Sequence, residues 1–167
     1  VQLNGLVRRI AYALQFQDFN VLVSGEVTSD SRIQYHRNIQ ERISTVAPFL
    51  ELDHDPYIVL SEGKLFWIQD AYTSTNHYPY STPLTGQFGE VNYIRNSVKV
   101  VMDAYHGTLD FYVTEPEDPL IITFQDIFPD LFTPLNQMPE DLKAHIRYPE
   151  DLFGIQATQY LTYHMTD

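Results

Sequence analysis

Two stretches near the middle of the chain limit what it can fold into. PYIVLSEGKLFWIQDAY (56–72) and SVKVVMDAYHGTLDFYV (97–113) each place β-branched and aromatic residues on both sides of a glycine. That pattern predicts two β-hairpins, the first turning at Glu62-Gly63-Lys64, the second at a tight primed turn over His106-Gly107. Leu109, Phe111 and Val113 alternate with polar neighbours, so the last strand has one apolar face. Leu65–Ile68 and Val100–Met102 are apolar at every position, as expected of strands covered on both faces. Both hairpins carry Asp-Ala-Tyr at the end of an inner strand, at Asp70 and Asp103.

The flanking sequence reads as helix. Leu3, Leu6, Val7, Ile10 and Leu14 recur at helical spacing, and Thr28-Ser29-Asp30-Ser31 offers caps for a second helix running to Ala47, where Pro48 ends it. In the last third Pro119, Pro139 and Pro149 each open a helix. Pro-Glu-Asp occurs at both 139–141 and 149–151, with the acids set to complement the helix dipole. Phe153, Ala157, Tyr160, Leu161 and His164 share one stripe of the final helix. The expectation is a single soluble α+β domain over 1–167. It is helical over 1–47, has an antiparallel sheet of about four strands (two hairpins) over 48–118 with a long loop at 73–92, and is helical again over 119–167.

Composition narrows the function classes. Twenty-two acidic against ten basic side chains give a net charge of −12, which repels phosphate backbones and sets nucleic acid aside as a partner. There is no cysteine, so disulfides and thiol catalysis are excluded. Neither H-E-x-x-H, nor a calcium loop, nor a G-x-S-x-G elbow occurs, and no catalytic residue, metal ligand or cofactor is assigned. Asp53-His54-Asp55 and Glu115-Pro116-Glu117-Asp118 read as solvated turns. Two weaker features are kept as binding candidates. Asp70 and Asp103, on paired hairpins, would come close enough to require a cation such as calcium or magnesium, a proton, or an arginine such as Arg95. The 73–92 loop offers His77, Tyr78 and Tyr80 as a contact surface.

NYIRNSVKVVMDAYHGTLDFYV, IFPDLF and MPEDLKAHIRYPEDLFGIQATQYLTYHM, with RRIAYAL, SRIQYHRNIQERI and DPYIVLSEGKLFWIQDAYTSTNHYPYS, resemble uncharacterised protein family 0182 along nearly the whole chain. That family comprises large bacterial membrane proteins, cyanobacterial and actinobacterial members among them. The resemblance implies N-terminal transmembrane helices in the parent and a large extracytoplasmic region, of which this chain, starting at Val1, is a piece. It carries no activity and no functional residues. The expected function is a non-catalytic extracytoplasmic interaction or scaffolding module at the cell membrane. Its partners would be the membrane-spanning region and the neighbouring soluble parts. The alternative is an accessory domain of an envelope enzyme or transporter that binds a ligand or divalent cation. An apolar patch left by the doubly apolar strands would also allow a homo-oligomer.

Overall fold

The structure, a computed structural model, describes residues 1–33 and 35–164. The chain folds into two compact units, Val1–Arg37 and Asn38–Asp167.

The first unit holds helices α1 (Leu6–Phe16) and α2 (Asn20–Val23). α1 stops at Gln17, whose left-handed φ of 53° turns the chain while its N–H bonds back to the last turn. A short antiparallel bridge, Gln2 with Arg32, joins the ends of the unit, with Leu3 N–H donating to the Ser31 carbonyl at 2.9 Å. Leu3 and Ala13 are buried, whereas Leu6, Val7, Ile10 and Leu14 of the expected stripe are exposed. The predicted capping cluster at 28–31 closes on itself instead. Ser31 Oγ accepts from the Thr28 N–H at 3.0 Å, which makes a local turn and no helix start.

In the second unit helix α3 (Ile39–Val46) is capped by Asn38, well past that cluster. The Asn38 side chain accepts from the N–H groups of Gln40 and Glu41. Ala47, before Pro48, leaves helical geometry as expected.

Six strands form the main sheet: β1 (Glu51–Leu52), β2 (Tyr57–Ser61), β3 (Lys64–Thr75), β6 (Tyr93–Asp103), β7 (Leu109–Val113) and β8 (Phe132–Pro134). The order is β1-β3-β6-β7-β8, and β2 shares the outer edge of β3 with β1. All pairs are antiparallel except β7–β8. Both expected hairpins form, so the α+β reading stands. The strand count rises because β1 and β8 are too short to show a period. The first hairpin has a two-residue turn, Glu62-Gly63, with φ of 47° and 76°. The second turn differs from the tight His106-Gly107 pair. Pairing stops near Asp103, whose carboxylate accepts from the N–H groups of Tyr105 and His106, and the loop spans Ala104–Gly107. An aspartate able to bind the backbone two and three residues on favours this wider turn. Within the expected loop at 73–92, β3 runs on to Thr75, and β4 (Leu84–Gly86) and β5 (Gly89–Val91) make a small hairpin of their own.

The apolar runs are covered on both sides. On one face Ala71, Val98, Val100, Met102, Phe111 and Val113 pack against α3 and against α4 (Pro119–Ile127). On the other, Ile68, Val101 and Tyr112 meet Met138 and Leu142, the latter on α5 (Glu140–Lys143). The expected apolar patch on the sheet is thereby largely closed within the unit. α6 (Glu150–His164) starts with Glu150 and Asp151 in its first turn, as the Pro149 signal predicts. Its stripe is not packed, because Phe153, Tyr160 and Leu161 are each more than 60% exposed.

Candidate functional site

The candidate residues fall in three places. β3 and β6 do pair, and Asp70 and Asp103 lie on the same side of that ribbon, since Phe66 faces Asp103 while Asp70 faces Lys99. Antiparallel register nevertheless puts four residues, about 13 Å, between them. They do not share a site. Asp70 is buried and bonded to the Lys99 ammonium, which also donates to the Arg147 carbonyl at 2.9 Å. Burial pushes the Asp70 carboxyl up, against the opposing pull of Lys99. A divalent cation here would have to displace that ammonium. Arg95 sits opposite Thr73, with its guanidinium 5.6 Å from the centre of the Tyr93 ring, so the cation facing Asp70 is Lys99. A lone lysine inside VKVVM was the signal for it. Asp103 has its carboxyl held below the usual range. Burial works the other way, but the N–H groups of His106 and Tyr105 outweigh it.

Two acids read as solvated turns are buried instead. Between β1 and β2 the edge departs from β3 over residues 53–56. There Asp53 accepts from the Tyr72 hydroxyl, from the Asp55 N–H at 2.9 Å and from the Asp151 N–H at 3.0 Å. Asp151 in turn accepts from the His54 N–H at 2.9 Å and lies 2.5 Å from His54 Nδ1. Burial, then the Asp53 bond, pushes the Tyr72 hydroxyl far up. The bond to Asp151 and its charge raise the His54 imidazole. Asp53, His54 and Asp151 bring one potential ligand atom each within 4.8 Å of one another, the one such cluster among the described residues. The two carboxylates already serve the Tyr72 hydroxyl, three N–H groups and the His54 ring, so the cluster acts as a clasp that fastens the start of α6 to the sheet edge.

The second buried acid is Asp118, the N-cap of α4. Its carboxylate accepts from the N–H groups of Leu120 and Ile121 and from Thr73 Oγ1 at 2.5 Å, Ser97 Oγ at 2.7 Å and the Tyr93 hydroxyl at 2.6 Å. Burial raises its pKa, but the bonds from Thr73, Tyr93 and Ser97 together hold it below the usual carboxylate range. Burial pushes the Tyr93 hydroxyl up to about 12, the Asp118 bond adding to it. This network ties three strand residues to one helix end.

The third place is a groove of about 780 Å³ between the 78–95 segment and α6. Tyr78, Tyr80 and Arg95 line it, with Phe88 and Tyr93 on the same side and Ile155 and Gln159 across from them. Tyr78 and Tyr93 stack at 4.7 Å, and Asn92 pins the loop by accepting from the Tyr78 N–H and donating to its carbonyl. His77 stands exposed before the groove, its N–H bonded to Thr75 Oγ1. Concave sites of this volume are the usual places for small ligands. No helix among the described residues is long and apolar enough to cross a membrane.

Comparison with known proteins bears on the whole chain. The family model for an uncharacterised protein family (UPF0182) matches residues 1–167. A UPF0182 protein of Cupriavidus necator is 56% identical over 165 residues, covering 99% of this chain and 18% of that protein. One from a Sulfurovum species is 55% identical over 170 residues, covering 100% of this chain and 18% of that protein. Another, from Trichodesmium erythraeum, is 49% identical, covering 100% of this chain and 20% of the relative. No solved structure matches. The chain thus spans about a fifth of the length of these relatives, and it belongs to the uncharacterised protein family UPF0182.

Proposed function

We propose that this segment is a non-catalytic interaction module within a larger, membrane-anchored polypeptide, on the extracytoplasmic side. The observation that carries the reading is α6. Its start is fastened by the Asp53–His54–Asp151 clasp, yet Phe153, Tyr160 and Leu161 project from it uncovered. At about 100° per residue these three share an arc of about 100° on α6, and none of them lines the groove. A helix fixed at one end with an apolar stripe in water suits docking against another part of the same polypeptide. Relatives about five times longer than this chain supply sequence for that partner. Asp53, Asp70, Asp118 and Asp151 are engaged by an ammonium, hydroxyls, an imidazole or N–H groups, an arrangement that favours a structural role over acid–base chemistry.

A photo-crosslinking residue at Leu161 of a full-length relative tests the docking. Crosslinks to peptides of the same polypeptide outside this segment support it, and crosslinks only to lipid or water reject it. A cysteine placed at Tyr80, in a full-length background lacking other cysteines, tests the location. Labelling by a membrane-impermeant maleimide in intact cells is expected, and protection until lysis overturns the extracytoplasmic assignment.

A further inference from the structure

We propose that the groove between the 78–95 segment and α6 is a binding site for a short neutral saccharide. Its walls combine two unlike chemistries. The first is aromatic. Tyr78 and Tyr93 stack within 17° of parallel, and Tyr78 keeps 45% of its surface in water. Tyr80, at the rim, is fully exposed and held at a φ of 62°, a conformation a bulky residue adopts only under constraint. The Pro79-Tyr80 turn sets that φ, since Asn92 bonds the residues on either side of it, Tyr78 and Ser81, and the result is a Tyr80 ring presented to solvent at the groove rim.

The second chemistry is polar and uncommitted. The side chains of Thr82, Gln87 and Gln159 line the groove and form no hydrogen bond with other described residues. An apolar ligand would bury these amides and hydroxyls unpaired, at a cost in affinity. Charge excludes the ionic alternatives. Arg95 is the one cation of the lining, it lies beside the Tyr93 ring, and a chain of net charge −12 repels anions. Of the acids, Asp151 is held by His54, and Glu150 lies 3.9 Å from the same ring. What remains is flat aromatic faces for the C–H faces of a sugar ring, and amides and hydroxyls for its hydroxyls. Phe153, Tyr160 and Leu161 do not line the groove, so the proposal stands independently of the docking reading.

Titration of the chain, isotopically labelled for amide NMR, with chitotriose, maltotriose and cellotriose in turn tests it, alongside a proline-rich decapeptide. Saturable shifts with at least one sugar are expected at residues 78–95 and on the groove side of α6. Tyr80→Ala and Gln159→Ala are each expected to weaken binding at least threefold while leaving the melting temperature unchanged. The proposal is overturned by the absence of saturable shifts with all three sugars at tens of millimolar, by shifts elsewhere on the chain, by variants that bind as well as the parent, or by occupancy of the groove by the peptide alone.

Discussion

Asp118 shows how much one side chain can organise. It caps α4 and receives three hydroxyls from β3 and β6, so its loss uncaps a helix and strands buried donors together. Asp118→Ala is expected to lower the unfolding free energy by about 2–4 kcal/mol, checked by urea denaturation. A change inside about 0.5 kcal/mol would mean that water replaces the carboxylate at no loss. Because its folded pKa lies below the unfolded value, its contribution is complete above about pH 4 and disappears as pH falls through the folded value. His54 works in the opposite sense. Its raised pKa makes the clasp strongest below about pH 6.5 and weakens it as pH rises through the folded value. The protection factors of the amides in the first turn of α6, with the intrinsic pH dependence of exchange divided out, are expected to fall as pH rises above about 6.5 through the folded value, and His54→Gln to remove that fall. Identical profiles in the two proteins would show that the ring does not hold the helix. The local half of these roles was legible, since Pro119 and Pro149-Glu150-Asp151 both announced helix starts and capping is local. The rest was not, because Asp53 and Asp118 sit near prolines in polar stretches that read as wet turns, and their long-range partners lie between 19 and 98 residues away.

At the scale of elements, the local signals were the reliable ones. The first hairpin lay where a glycine interrupts two β-rich runs, and its turn needs positive φ at both Glu62 and Gly63. Glutamate is strained there, whereas Asn-Gly is the preferred pair. Glu62→Asn is therefore expected to stabilise the chain by about 0.5–1 kcal/mol, seen as a higher melting temperature. A lower one would show that the Glu62 side chain has a role of its own. The second turn departed from expectation because the competition there is between side chain and ladder. Asp103 satisfies two N–H groups of the loop, and Gly107 supplies its left-handed residue with the Arg42 guanidinium about 3.0 Å from where a Cβ would stand. The second helix failed for a similar reason, since Thr28 and Ser31 bond each other and leave Asn38 to start α3. The β4–β5 hairpin was unreadable because three-residue strands carry no period.

Over the whole molecule, doubly apolar strands predicted cover on both faces, and the second unit supplies it with α3 and α4 on one side and the α5 segment on the other. Uncovered apolar side chains stand on α6, at Phe153, Tyr160 and Leu161, as they do on α1, at Leu6, Val7 and Leu14. Periodicity located the Phe153–His164 stripe without saying whether anything covers it, because burial depends on the rest of the polypeptide. An isolated chain has no such partner, so its own copies are the next best cover. It is expected to self-associate at high micromolar concentration through α6, most simply as a two-fold pair. Leu161→Lys separates this from general stickiness. Leu161 is 62% exposed and near the end of α6, where a cation suits the helix dipole, so stability should hold within about 0.5 kcal/mol. The substitution also moves the net charge of −12 one unit towards zero, which by itself would favour association. Light scattering that shows a smaller mass for Leu161→Lys than for the parent therefore identifies the apolar stripe as the contact. Equal masses, whether both monomeric or both associated, remove α6 from that role and with it the main physical support for docking.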